Sequence, residues 1–171
     1  MVSVLKHLSA GLALSALLAA CVSTSARDSS VGRPSTSAPI ASAAQQQVQS
    51  GIAFENALNA ARGQRGLRPV QSDTSLTRAA LAHAQDMSAR TYFSHVSPEG
   101  GTPMDRVRGA GGCRAAVAEN IATGQADDMR VFQGWMGSPG HHRNMMGPHY
   151  TRYGMASWQG YYVMVLAGPC V

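Results

Sequence analysis

From Val48 onward the apolar residues recur at intervals of three and four, and the chain reads as a series of helices before the period changes near its end. Ile52, Phe54, Leu58 and Ala61 mark a first helix, closed by "RGQRG" with Gly66 as a C′ residue. A second follows Ser72 and Asp73, either of which can cap it. Its Leu76, Ala80, His83 and Met87 share one face, so His83 should point inward. Thr102, Pro103 and Asp105 form the capping signature of a short helix running to about Ala110, after which "GAGG" breaks the chain. Asp127 and Asp128 open a fourth helix with an apolar stripe of Met129, Phe132, Trp135 and Met136. Ser138 as cap and Pro139 at the first position then start another turn. The tail "YGMASWQGYYVMVLAG" instead carries two β-rich runs about Gln159-Gly160, the mark of a hairpin, and strand potential recurs at Ala118 to Ala122. The expected fold class is α+β: a small antiparallel sheet covered by helices in a single domain, residues 48–171.

Before Val48 the pattern is different in kind. Leu8 to Ala20 is an apolar run behind a single lysine, too short for a permanent membrane span and suited to the h-region of a signal peptide over residues 1–20. It ends at Cys21, and "LAAC" resembles the lipobox of bacterial lipoproteins, in which that cysteine becomes the lipidated mature N-terminus. An ordinary signal peptide with an incidental cysteine is the alternative. Residues 21–47 are rich in Ser, Ala, Thr, Pro and Gln and nearly free of large apolar side chains, so they cannot offset the entropy of ordering by burial. They are expected to be a disordered tether, which random-coil scaling lets stretch on the order of 30 Å. Together these features predict an exported protein of the cell envelope, anchored to a membrane by lipid on Cys21. In a Gram-negative cell that means the outer membrane or periplasm.

Charge and cysteine content sharpen this only a little. Fourteen basic against nine acidic residues give +5, and removing Lys6 with the leader leaves +4. The arginines are scattered rather than striped with aromatics, which argues against nucleic acid as a partner. With Cys21 assigned to lipid, Cys113 and Cys170 remain as an even pair in an oxidising compartment and are expected to form a disulfide; two small buried thiols are the alternative.

Six pieces in order, "GLRPVQSDTSLTRAALAHAQDM", "SHVSPEGGTPMDR", "AENIATG", "WMGSPGHHRNMMGPHY", "YG" and "YYVMVL", resemble the bacterial branch of the CAP superfamily, named for cysteine-rich secretory proteins, antigen 5 and pathogenesis-related proteins. The resemblance covers about Gln47 to Leu166. It implies an α-β-α sandwich and a central cleft of histidines and acids that in some members binds a divalent cation. His95 and Glu119 match two of four cleft positions. At the other two this chain has Ser138 in place of an acid and Tyr161 in place of a histidine, while His141 of "GHHRN" lies nearby in sequence.

Of the three glutamates, Glu55, Glu99 and Glu119, the first falls on the expected solvated side of its helix, and Glu119 in its apolar stretch is the leading carboxylate. A buried carboxylate needs an imidazole or a metal beside it, and His95 and His141 are the candidate neighbours. Two imidazoles and one carboxylate suit zinc with an open fourth position. A hydrogen-bonded cluster that pins loops together and a true catalytic centre stay open beside that metal site. His142 must point about 100° from His141 on a helix, His149 is expected at the surface, Arg143 and Asn144 to fix the loop, and Met145 and Met146 to pack. No nucleophile elbow, spare thiol or zinc-protease helix is present, and Ser94 beside His95 should point away from it. The expected function is therefore a monomeric envelope module whose cleft binds a lipid, peptide or wall fragment. The alternatives are a metal-assisted hydrolase of envelope peptide or peptidoglycan bonds, with Glu119 as general base, and a structural or adhesion module with a vestigial cleft.

Overall fold

A computed structural model describes residues 38–171; the signal segment, Cys21 and the tether up to residue 37 lie outside the described residues. Five helices and four strands follow in the order α1 (Ala38–Gly63), β1 (Gln71–Ser72), α2 (Thr74–Arg90), α3 (Pro103–Gly109), β2 (Val117–Thr123), α4 (Asp128–Gly137), α5 (Pro139–Met145), β3 (Arg152–Trp158) and β4 (Tyr161–Ala167). The sheet order is β1-β3-β4-β2. β3 and β4 form the expected antiparallel hairpin, closed between Trp158 and Tyr161, and β2 pairs antiparallel with β4. Gln159 and Gly160 both have positive φ, 47° and 80°, which suits the right-handed twist of a two-residue hairpin turn. The two-residue β1, too short to show a period in the sequence, pairs parallel with β3 and makes the sheet mixed rather than purely antiparallel.

Helix boundaries follow the capping chemistry. Asp73 accepts from the Ser75 and Leu76 amides, Thr102 and Asp105 make the reciprocal capping box, and Asp127 accepts from the Arg130 amide. α1 begins at Ala38 rather than Val48. The stretch before Val48 is rich in alanine and glutamine, which are strong helix formers, so it extends a helix whose C-terminal half is packed.

The strands alternate cleanly and sort the core into two layers. Tyr162, Met164 and Leu166 of β4 pack with Phe54 and Leu58 of α1 and with Val131 and Trp135 of α4, while Val163, Val165 and Ala167 face Leu76, Ala80 and Met87 of α2. The result is the α-β-α sandwich, with α1, α4 and α5 on one face and α2 and α3 on the other. Gly154 lets α2 lie directly on β3, since a Cβ there would fall 2.1 Å from the Thr77 nitrogen. Two devices close the last loops. Cys113 and Cys170 are joined in a disulfide. The wholly buried Arg62 donates to the carbonyls of Arg68, Met145, Gly147 and Tyr150, holding the "GPHY" segment against α1. Among the described residues no helix is long and apolar enough to cross a membrane.

Candidate functional site

β2 is an edge strand, and the outward side of that edge lies between the two helical layers. Glu119 sits there with its side chain only 1% exposed, facing the α2–α3 layer. Its Oε2 accepts from Arg106 Nη2 at 2.7 Å and its Oε1 from His95 Nδ1 at 2.9 Å. The carboxylate can only accept, so Nδ1 of His95 carries the hydrogen and Nε2 is left for whatever approaches from outside. His95 is 49% exposed, which makes it the accessible end of a buried pair.

The sequence places these groups by local means. α2 ends in a left-handed residue, Thr91, after which the chain turns out into the loop carrying His95. That loop closes on itself through Ser97 and Gly101, and Arg106 on α3 ties it down by donating to the carbonyls of Gly101 and His95. Arg106 thus clamps both loop and carboxylate; its Nε is buried without a partner among the described residues. His83, wholly buried on α2, donates from Nε2 to the Ser94 carbonyl at 2.9 Å and stands 3.7 Å from Glu119 Oε1. Burial holds the His83 imidazole below its usual value against the opposing pull of Glu119, so it sits neutral beside the carboxylate. Behind it, Tyr92 donates to Asp86 at 2.5 Å. Burial, with Asp86 beside it, pushes the Tyr92 phenol up to about 12.

The opposite wall comes from α4 and α5. A cavity of about 330 Å³ opens between Phe93, Ile121, Trp135, Ser138 and His141. Trp135 donates its indole N–H to the Ile121 carbonyl at 3.3 Å, which protects the strand edge and fixes the cavity floor. α5 is held by a pair of amides: the buried Asn120 donates to the His141 carbonyl, and the half-buried Asn144 donates to Asn120 Oδ1 and, at longer range, to the Glu119 carbonyl. Burial holds the His141 imidazole below its usual value, and the nearby His95 imidazole adds to the effect.

This arrangement can be set against known proteins. The model of the CAP (cysteine-rich secretory protein) family matches residues 55–165, most of the described domain. The chain belongs to that family. The Bacillus subtilis protein YkwD, itself uncharacterized, is 40% identical over 97 residues; the match covers 57% of this chain but 38% of YkwD, so the chain spans well under half of that relative. Among solved structures, an extracellular SCP-domain protein of Bacillus anthracis superposes with a TM-score of 0.67 at 28% identity, covering 69% of this chain and 40% of that one. An outer surface protein of Borrelia burgdorferi superposes with a TM-score of 0.64 at 18% identity, covering 70% and 92% of the two chains; it speaks for the fold alone.

Within the CAP domain the sequence-selected residues separate. His95 and Glu119 are in direct contact, and Ser138 and His141 line the adjoining cavity. Tyr161 does not join them: it pairs across strands with Thr123 and packs against the α2-side core. Ser94 turns its hydroxyl to the Val96 amide, His149 is exposed and packs at a tilt against the Tyr150 ring, and Met145 is buried. Glu55, expected in solvent, is half-buried and accepts from the Tyr153 hydroxyl at 3.1 Å, because β3 brings a buried tyrosine under that side of α1. Arg106 closes the same "SHVSPEGGTPMDR" piece that carries His95, but nothing in that piece singled it out from its neighbours.

His95, Glu119 and His141 do not form a metal-ligand set. Both Glu119 oxygens are already engaged, one by a guanidinium whose fixed positive charge occupies the place a cation would take. Among the described residues no group of three or more His, Cys, Asp or Glu side chains is placed to hold a metal ion.

Proposed function

We propose that this chain is an exported envelope protein, anchored by lipid on Cys21 through its N-terminal segment, whose CAP domain is a binding module rather than a hydrolase. Its ligand, a lipid, peptide or wall fragment, would enter at the β2 edge, seating apolar parts against Phe93 and Trp135 and a polar group on Nε2 of His95. The observation that carries the reading is the double engagement of Glu119. A carboxylate held at 2.7 Å by Arg106 and at 2.9 Å by His95, with its side chain 1% exposed, orients an imidazole and turns no open oxygen face to solvent from which to take a proton from water. The extracellular character of the Bacillus anthracis neighbour supports export.

The test compares the full chain with its His95→Ala, His141→Ala double variant in titrations against phospholipid vesicles, muropeptides and envelope peptides. Binding of one class that falls at least tenfold in the variant, at unchanged melting temperature, is the expected result. Equal binding of every class by both proteins would overturn the cleft as the site and favour an adhesion role for the outer loops.

A further inference from the structure

At the opposite edge of the sheet from β2, a cavity of about 270 Å³ opens between α1 and β3, and its chemistry differs from that of the cleft. Its floor is apolar and aromatic, with Phe54, Tyr153 and Met155, and Ile52 on α1 stands at its rim, 49% exposed. Only two of its lining residues are ionisable carboxylates, Glu55 and Asp128, and no lysine, arginine or histidine lines it. In a chain of net charge +5 that local excess of negative charge is not a sample of the average surface.

Both acids are positioned rather than loose. Tyr153, buried and with its phenol pushed up by burial and by Glu55, stays a hydroxyl and donates to Glu55 Oε2 at 3.1 Å. Ser50 on α1 donates to Asp128 Oδ2 on α4. Each carboxylate has one oxygen engaged this way, and its second has no hydrogen-bond donor among the described residues. Part of Asp128's role is explained by its place in the first turn of α4, where a negative charge suits the helix dipole. Glu55, in the middle of α1, has no such explanation.

We propose that this cavity is a second binding site, specific for an organic ammonium carried on an apolar stem. The stem lies on Tyr153 and Met155, where an aromatic face adds cation–π attraction to burial, and the ammonium reaches the free oxygens of Glu55 and Asp128. The volume sits just below the range of drug-sized ligands, so the site fits a small alkyl- or arylalkylamine or a single lysine side chain rather than a whole lipid. It is independent of the cleft: none of its lining residues is shared with the His95–Glu119 cluster or with the cavity beside Trp135.

The experiment titrates the full chain with 2-phenylethylammonium, with the uncharged 2-phenylethanol of nearly the same shape, and with an Nα-acetyl-lysine amide, following binding by calorimetry and ligand-observed NMR. Three variants are compared. Glu55→Gln and Asp128→Asn keep the hydrogen bonds from Tyr153 and Ser50 while removing charge. Gly51→Leu fills the cavity from α1 at a position where an added Cβ meets nothing within 4 Å, so it should not unfold the helix. Expected are binding of the ammonium at least tenfold tighter than the alcohol, a tenfold or greater loss in each charge variant, and abolition by Gly51→Leu at an unchanged or higher melting temperature. The His95→Ala, His141→Ala variant should bind as the parent does, which separates this site from the cleft. Binding of the lysine amide as well as the amine would identify a peptide side chain as a competent source; binding of the amine alone would restrict the site to free amines. Equal affinity for amine and alcohol, undiminished binding in Gly51→Leu, or no binding of any probe at millimolar concentration would overturn the proposal.

Discussion

Arg62 and Glu119 are both buried charges, and they are neutralised in opposite ways. Among the described residues Arg62 has no carboxylate beside it; its guanidinium donates to four main-chain carbonyls, three of them in the segment from Met145 to Tyr150. Glu119 is met by side chains, Arg106 from α3 and His95 from a loop, with His83 close behind. Main-chain partners leave nothing for a ligand to contact, and Arg62 itself is wholly enclosed. Side-chain partners carry the buried charge outward, so that a group 1% exposed acts through one 49% exposed. Burial of charge alone therefore does not mark a site; what matters is whether its partners reach solvent.

The contrast can be broken most sharply at Arg62. Arg62→Met keeps much of the volume but strands several buried carbonyls, each unmet acceptor costing about 1–3 kcal/mol. The expected loss is about 4 kcal/mol in urea unfolding, equivalent to a melting temperature lower by roughly 15 °C. Increased amide exchange should be centred on residues 145–150. Glu119→Gln comes next. It preserves shape but leaves the Arg106 guanidinium, 13% exposed, without its counter-charge. About 3 kcal/mol should be lost, and the amides of residues 94–97 should exchange faster because the clamp on their loop is weakened. If instead Arg62→Met proved mild and Glu119→Gln severe, the division between scaffold charge and site charge would be reversed.

These two residues also mark how far the sequence could be read. The five packed helices, the hairpin and the edge strand were legible because each carries a local signal: a cap at Asp73, Thr102 or Asp127, an apolar period, or the two positive-φ residues Gln159 and Gly160. His95 and Glu119 were legible through motifs. Arg62 was not, and Arg106, though it ends the piece that carries His95, was not singled out, since an arginine on a helix looks the same in sequence whether it faces water or the interior; only the tertiary fold brings carbonyls from more than eighty residues away onto Arg62. β1 escaped for a related reason, because two residues define no period and its pairing depends on where β3 lies. Glu55 was placed in solvent by helical phase alone, which could not foresee a tyrosine rising from the sheet beneath it.

A smaller effect separates the two regions by pH. Burial holds His83 and His141 below their ordinary value, so the unfolded chain binds protons on them more readily than the folded one. Their contribution to stability is complete above the unfolded value, about 6.5, and is lost as the pH falls below it. Melting temperatures measured from pH 8 to pH 5 should therefore decline, with a slope of at most about 1.4 kcal/mol per pH unit for each histidine. His83→Gln should flatten that decline while lowering the pH 8 value slightly through imperfect replacement of the bond to Ser94. The Arg62→Met variant should keep the parent's slope, because the guanidinium stays charged throughout this range. A slope unchanged in His83→Gln would mean that acid destabilises the domain through His141 or its carboxylates instead.

The smallest effect on stability is expected where the effect on function is largest. His95→Ala removes a side chain half in solvent and one of two donors to Glu119, while Arg106 remains to balance the charge. The melting temperature should fall by no more than a few degrees, corresponding to about 1 kcal/mol, the usual value of one hydrogen bond to a partner that keeps another. The cleft nevertheless loses the most exposed part of the Glu119 network, so its ligand should be released even though the fold is retained. His95→Gln, whose amide can still donate toward Glu119 and present an oxygen outward, should recover part of the binding. His95→Phe, which restores the ring but neither bond, should not. Recovery by Phe as well as by Gln would show that shape and not the oriented imidazole governs the cleft, and Glu119 would then belong with Arg62 among the residues that serve only to hold the domain together.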